Sequence, residues 1–182
     1  MVTLALDLGQ HTGWAIHDSD LEVTTSGTWG MTISDRERKA MASNWDRKED
    51  PRFLALFKNI NHMVREHSVR KIVFEDVQFS TYTLQTQQWS MYRSAVWAQR
   101  IISPFVEFDC LNTSTLKLVA TGRGNATKLM MAAWLVKKYP HRFQKLVNPN
   151  PKQELFIETT DGRAVDDNEV DAYHLLQYFI NA

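Results

Sequence analysis

The stretch from Val2 to Trp14, VTLALDLGQHTGW, constrains the fold of this chain more than any other. Five of the seven residues from Val2 to Leu8 are apolar. An apolar run of that length with a glycine close behind reads as a strand buried on both faces. Asp7 stands inside it, and a carboxylate in such a run is costly to bury unless it is paired or binds a metal. Gly9 and Gly13 read as a sharp turn, after which Trp14-Ala15-Ile16 resumes the strand pattern. An acid at the end of a core strand, followed by a glycine-rich hairpin, is a place to hold a cation beside a phosphate. For an isolated Asp, capping of the turn through its own backbone is the simpler account, so the rest of the chain has to decide.

The length of 182 residues predicts one domain, residues 1–182, with room for a real core. Hydrophobic residues make up 43% and charged residues 23%, a globular rather than a disordered balance. No run of about 18 apolar residues is present, so no membrane helix is expected. The first residues lack a basic segment ahead of an apolar one, and Cys110 has no second cysteine to pair with, which together predict a cytoplasmic protein. The formal net charge of +0 hides an asymmetry. Leu111 to Lys152 carries eight Lys or Arg and no acid, whereas Gln153 to Ala182 carries seven acids and one Arg. A metal-dependent nuclease needs both a basic face for phosphates and an acidic cluster for cations. Two ordinary solvated surfaces would produce the same asymmetry.

Further along, Gly13 to His17 and Glu22 to Trp29 read as two more strands around an Asp18-Ser19-Asp20 turn, making an antiparallel meander. Met31 to Arg52 is highly charged and weakly periodic, and reads as an exposed connection. Pro51 to His67 has the apolar spacing of an amphipathic helix with proline in its first turn. Lys71 to Val77, KIVFEDV, is a second short apolar run ending in carboxylates, and only one of Glu75 and Asp76 can face a given side of a strand. Gln78 to Gln88 reads as a polar loop carrying Phe79 and Tyr82, and Trp89 to Ile102 as an apolar helix. Pro104 to Leu111 reads as another strand. Asn112-Thr113-Ser114 offers N-caps for a short helix carrying Lys117. TGRGNATK, Thr121 to Lys128, is a glycine-rich turn opening into the helix Lys128 to Tyr139, able to present amides to a phosphate but without P-loop spacing. His141 to Ala164 reads as a loop that can hold a hairpin, with a candidate strand at Leu155 to Thr159. The last element, Asp166 to Ile180, begins with acids suited to a helix N-terminus. Asp171 lies beyond the capping positions, and Asp167 and Asn168, four and three residues earlier, share its face.

Four of these motifs, DLGQHTGW, VFEDV, NTSTLKLVATGRGNATK and DDNEVDA, occur in an order that resembles the RuvC-type Holliday-junction resolvases, in particular the small phage members, within the ribonuclease-H-like superfamily. The resemblance implies an α/β fold with a mixed five-stranded sheet, order 3-2-1-4-5, and helices on both faces. It implies that Asp7, Glu75 and Asp171 are metal ligands and that Lys117 and Lys128 are basic residues near the scissile phosphate, with Arg123 also on the DNA. The family's further ligand, three residues before the last Asp, falls on Asn168. Asp167, one residue earlier, is the better hard ligand and is taken as the fourth carboxylate. Two Mg²⁺ ions roughly 3.5–4 Å apart, with Mn²⁺ able to substitute, are implied for hydrolysis giving 5′-phosphate and 3′-hydroxyl ends. A four-way DNA junction is the implied partner. A homodimer through Trp89 to Ile102 and an aromatic wedge at Phe79 or Tyr82 are implied with it. The rival readings are a ribonuclease H or flap nuclease of the same fold, a catalytically silent junction-binding protein, and a sugar-kinase-like ATPase, for which 182 residues are too few.

Overall fold

A computed structural model describes residues 1–37, 39, 50–76, 83–147 and 156–181. The strands are β1 (Val2–Asp7), β2 (His11–Asp18), β3 (Val23–Gly30), β4 (Lys71–Asp76) and β5 (Glu107–Asn112), with β6 (Phe143–Val147), β7 (Phe156–Thr159) and β8 (Ala164–Val165). The helices are α1 (Pro51–Glu66), α2 (Thr83–Ile102), α3 (Thr113–Thr121), α4 (Lys128–Lys138) and α5 (Asp167–Ile180). The main sheet has the order β3-β2-β1-β4-β5, as the resemblance implies. The meander β1-β2-β3 is antiparallel, and β4 and β5 add parallel to β1.

Both faces of β1 are covered, which accounts for its unbroken apolar run. Leu4 and Leu6 point to one face, where with Ile72 and Phe74 they meet α1 and α2. Ala5 points to the other and, with Ala15 and Val73, lies beneath α5. Large side chains thus occupy the face that two helices cover at a distance, and small ones the face where a single helix lies close. Ala5 and Ala15 are register partners, as are Asp7 and Gly13. Side chains two apart on a strand share a face, so these four positions form one floor.

Gly13 corrects the sequence reading. It is not part of a turn but an interior residue of β2. A Cβ built there would lie 2.0 Å from the backbone oxygen of Asn168 in the first turn of α5. The glycine is present because helix and strand backbones meet at that point.

Four other expectations shift. Helix α2 begins at Thr83, so part of the expected loop is helical. The Gln-rich start faces water, with Gln87 and Gln88 exposed, and its polarity reflects exposure rather than lack of structure. Phe79 and Tyr82 lie outside the described residues. β5 starts at Glu107 because Pro104 and Phe105 form the turn after α2, closed by the Val106 amide donating to the Ser103 carbonyl at 3.1 Å. The segment from His141, read as a loop able to hold a hairpin, is more extensive, a second sheet β6-β7-β8 whose antiparallel β6-β7 pair fits that hairpin. It is tied to β3 where Arg142 donates to the Thr24 carbonyl at 2.5 Å and the Ser26 hydroxyl at 3.2 Å. Met31, read as exposed, is buried in the core.

Gly13→Ala forces α5 off the sheet and is expected to cost about 1–3 kcal/mol of stability, measured by chemical denaturation. A variant as stable as the native chain would contradict this contact.

Candidate metal centre

Asp7 is the last residue of β1 and Glu75 the penultimate residue of β4. Leu6 and Phe74 are paired in the parallel register, so Asp7 and Glu75 stand side by side on the face that α5 covers. Asp76 points to the opposite face, where Arg93 of α2 lies 3.2 Å from its carboxylate. Alternation along β4 therefore decides which of the two adjacent acids enters the site. Asp171 comes down from the second turn of α5. Oxygen atoms of Asp7, Glu75 and Asp171 all lie within 4.8 Å of one another.

Three anchors hold α5 in place. Asp166 caps the helix by accepting the Glu169 amide at 2.9 Å, and the Thr28 hydroxyl of β3 donates to the same oxygen at 2.8 Å. Arg163, beside β8, grips the buried Glu169 carboxylate with two hydrogen bonds of 2.8 and 2.6 Å. Buried His174 lies 2.9 Å from the Met131 carbonyl of α4. Thr28, Arg163 and Glu169 were not singled out in the sequence. Thr28 is 138 residues from its partner and leaves no local signal. Arg163 did leave one, as the only basic residue among the acids after Gln153.

The electrostatics follow from crowding. Burial pushes the Asp7 carboxyl well above the usual carboxylate range, the charges of Glu75 and Asp171 push it further, and Lys128 opposes them. Asp171 is pushed up to about 7, first by burial and then by Glu75, against Lys128 and Lys117. Those opposing effects put the ammonium groups of Lys117 on α3 and Lys128 on α4 within electrostatic reach of the trio. Three convergent carboxylates make a hard oxygen donor set that suits Mg²⁺ or Mn²⁺, and a bound cation would relieve their repulsion.

The other candidates are placed differently. Asp167 is ion-paired with Lys128 and does not join the trio. Asn168 lies against Gly13 through its backbone. Arg123 is exposed in the turn between α3 and α4. The amides of that turn were read as a phosphate cradle, but several are used internally. Gly122 donates to Leu118, Arg123 to the Thr121 hydroxyl, and Ala126 to the Arg123 carbonyl. The Met130 amide donates to the Thr127 hydroxyl that caps α4. Positive charge on this side comes from side chains.

No family profile and no curated protein matches the chain. Solved structures do. The Thermus thermophilus RuvC structure matches with a TM-score of 0.61 at 13% identity, covering 96% of this chain and 90% of that one. The fold is that of RuvC. T. thermophilus RuvC in complex with Holliday junction substrate matches with a TM-score of 0.62, at 13% identity and with the same coverage. The yeast mitochondrial Holliday junction resolvase Ydc2 matches with a TM-score of 0.54 at 14% identity, covering 95% of this chain and 75% of that one. No helix among the described residues is long and apolar enough to cross a membrane.

The raised carboxyls carry a pH signature. Asp7 and Asp171 bind protons more tightly in the folded chain than at their unperturbed value of 3.8. The folded state therefore holds more protons, and metal-free stability falls as pH rises from about 4 to about 7. Asp171→Asn should flatten that fall in thermal melts from pH 5 to pH 8. Mg²⁺ competes with those protons, so it should raise the native melting temperature more at pH 8 than at pH 5. An equal Mg²⁺ effect at both pH values would count against the trio as its binding site.

Proposed function

We propose that this chain is a Mg²⁺-dependent endonuclease that nicks four-way DNA junctions. The observation that carries the reading is the carboxylate trio, flanked by Lys117 and Lys128, at the end of a sheet with the strand order of RuvC. A phosphodiester at this point would face acids that hold cations and ammonium groups that bind its charge. The junction as substrate is supported by T. thermophilus RuvC, which shares this fold and has been solved with Holliday junction DNA.

In this mechanism Asp7, Glu75 and Asp171 would hold the divalent cations, two of them as the family resemblance implies. Bound there, a cation would supply charge to make water nucleophilic and to stabilise a departing oxygen. Lys128 and Lys117 draw the scissile phosphate toward the carboxylates and offset the charge it gains during attack. Water adds to phosphorus and the bond to the 3′-oxygen breaks, leaving 5′-phosphate and 3′-hydroxyl ends. The buried floor of Ala5, Gly13 and Ala15 keeps Asp171 at a fixed height above Asp7, so the donors are arranged before the metal arrives. A four-way junction has two-fold symmetry and needs paired cuts, which a two-fold dimer delivers. The apolar helix α2 is the surface assigned to that contact, and its C-terminal Ile101 and Ile102 are exposed.

The test uses a labelled synthetic four-way junction, a matched duplex and an RNA–DNA hybrid, with and without Mg²⁺. Symmetric nicks on the junction alone are expected, and Asp7→Asn should abolish them while junction binding persists. Cleavage of the hybrid alone would make the chain a ribonuclease H. Binding with no cut in Mg²⁺ or Mn²⁺ would make it a junction-binding protein.

A further inference from the structure

We infer that Asp167 is the positioning residue of Lys128 and not a fourth metal ligand. The inference rests on reading the trio as a cation centre, and it concerns how this chain arranges the fourth acid next to it. Lys128 is the first residue of α4 and Asp167 the first residue of α5. The two helix starts face each other, and the Lys128 ammonium makes its ion pair with Asp167 across the gap.

Three features give that pair its direction. The first turn of α4 contains no acid, so Lys128 places a cation at the positive end of a helix dipole, where nothing in its own helix favours it. The Lys128 side chain is 67% exposed and the Asp167 side chain 13% exposed. A lysine head on a flexible four-carbon stem has no direction of its own in water. Asp167 does, because it sits between Asp166 and Glu169, which Thr28 and Arg163 fix to the body of the protein. The fixed acid therefore orients the mobile base. The ammonium held in this way acts electrostatically on both Asp7 and Asp171. Asp167, with its oxygen engaged by Lys128, stays outside the group of three carboxylates that converge. The chain thus has three carboxylates for cations and a fourth that aims the phosphate-binding lysine.

Two measurements test this without DNA cleavage. In metal-free protein labelled with ¹⁵N-lysine, one ammonium resonance should be protected from solvent exchange. It should vanish in Lys128→Met and in Asp167→Asn, and survive in Asp167→Glu. Calorimetric titration with Mn²⁺ should give Asp167→Asn an affinity within about twofold of native, while Asp171→Asn loses about tenfold or more. A protected Lys128 ammonium in Asp167→Asn would overturn the inference, as would a loss of Mn²⁺ affinity equal to that of Asp171→Asn. If Asp171→Asn also leaves Mn²⁺ binding intact, the cation-centre reading falls, and the ammonium resonance still decides the pairing.

Discussion

Three carboxylates are forced together at the end of a buried sheet, and the surrounding structure is arranged around that repulsion. Two unit charges at the spacing of the trio repel by about 3 kcal/mol at an effective dielectric constant of about 20. A domain is stable by only about 5–15 kcal/mol, so three such pairs would consume much of it. Burial and mutual repulsion raise the proton affinity of Asp7 and Asp171, which eases the conflict in the metal-free chain. The rest of the relief is spatial. Lys117 and Lys128 lend positive charge from two separate helices. The core beneath is among the most completely buried parts of the molecule, with Leu4, Ala5, Leu6, Val73 and Phe74 all inaccessible to solvent.

Repulsion of this size would push α5 away unless the helix were held elsewhere. Its approach depends on small residues, since any side chain at position 13 would collide with the Asn168 backbone. Its first turns are fixed by Thr28 on Asp166 and by the two hydrogen bonds from Arg163 to Glu169, and its middle by His174 against Met131. Glu169 is itself a buried acid. It differs from the trio because a guanidinium satisfies both of its oxygens, whereas Asp7, Glu75 and Asp171 face mainly each other. That contrast separates an acid whose charge is met within the fold from acids whose charge is not.

The sequence was most legible where chemistry and local pattern coincide. Asp7 and Glu75 each end an apolar run, and Asp171 stands a turn beyond the capping positions, so burial and carboxylate were visible in the same few residues. The meander strands, the helix carrying Lys117 and its Asn112 cap were equally local, whereas the strand order came with the family resemblance. What was not legible depends on distant partners. Gly13 looks the same in a turn as under a helix, and only the position of α5 tells them apart. The second sheet has a two-residue strand, β8, too short to leave a pattern. The start of α2 is polar, with Gln85, Gln87 and Gln88 exposed, and hydrophobic periodicity is weak where so few positions of a helix turn inward. Asp167 and Asn168 share a face with Asp171 in any helical reading. Which of them meets a metal, a lysine or a strand was beyond what spacing can decide.

Charge separated along the chain becomes charge apposed in space. The basic segment after Leu111 forms α3, the following turn and α4, and the acidic segment after Gln153 ends in α5. These helices pack on the same face of the sheet. Net neutrality therefore says little about the field at the site, because Lys117 and Lys128 act electrostatically on the carboxylates that the acidic segment helps to supply. On the proposed reading such an arrangement would attract a phosphate to the basic helices and a cation to the carboxylates, each ligand strengthening binding of the other. A uniformly basic surface would hold DNA without reference to metal, and a uniformly acidic one would hold metal but repel DNA. On that reading the alternation of the two, carried by α5 on the small-residue floor and by α3 and α4 packed against α5, would make binding of the backbone and binding of the cation interdependent.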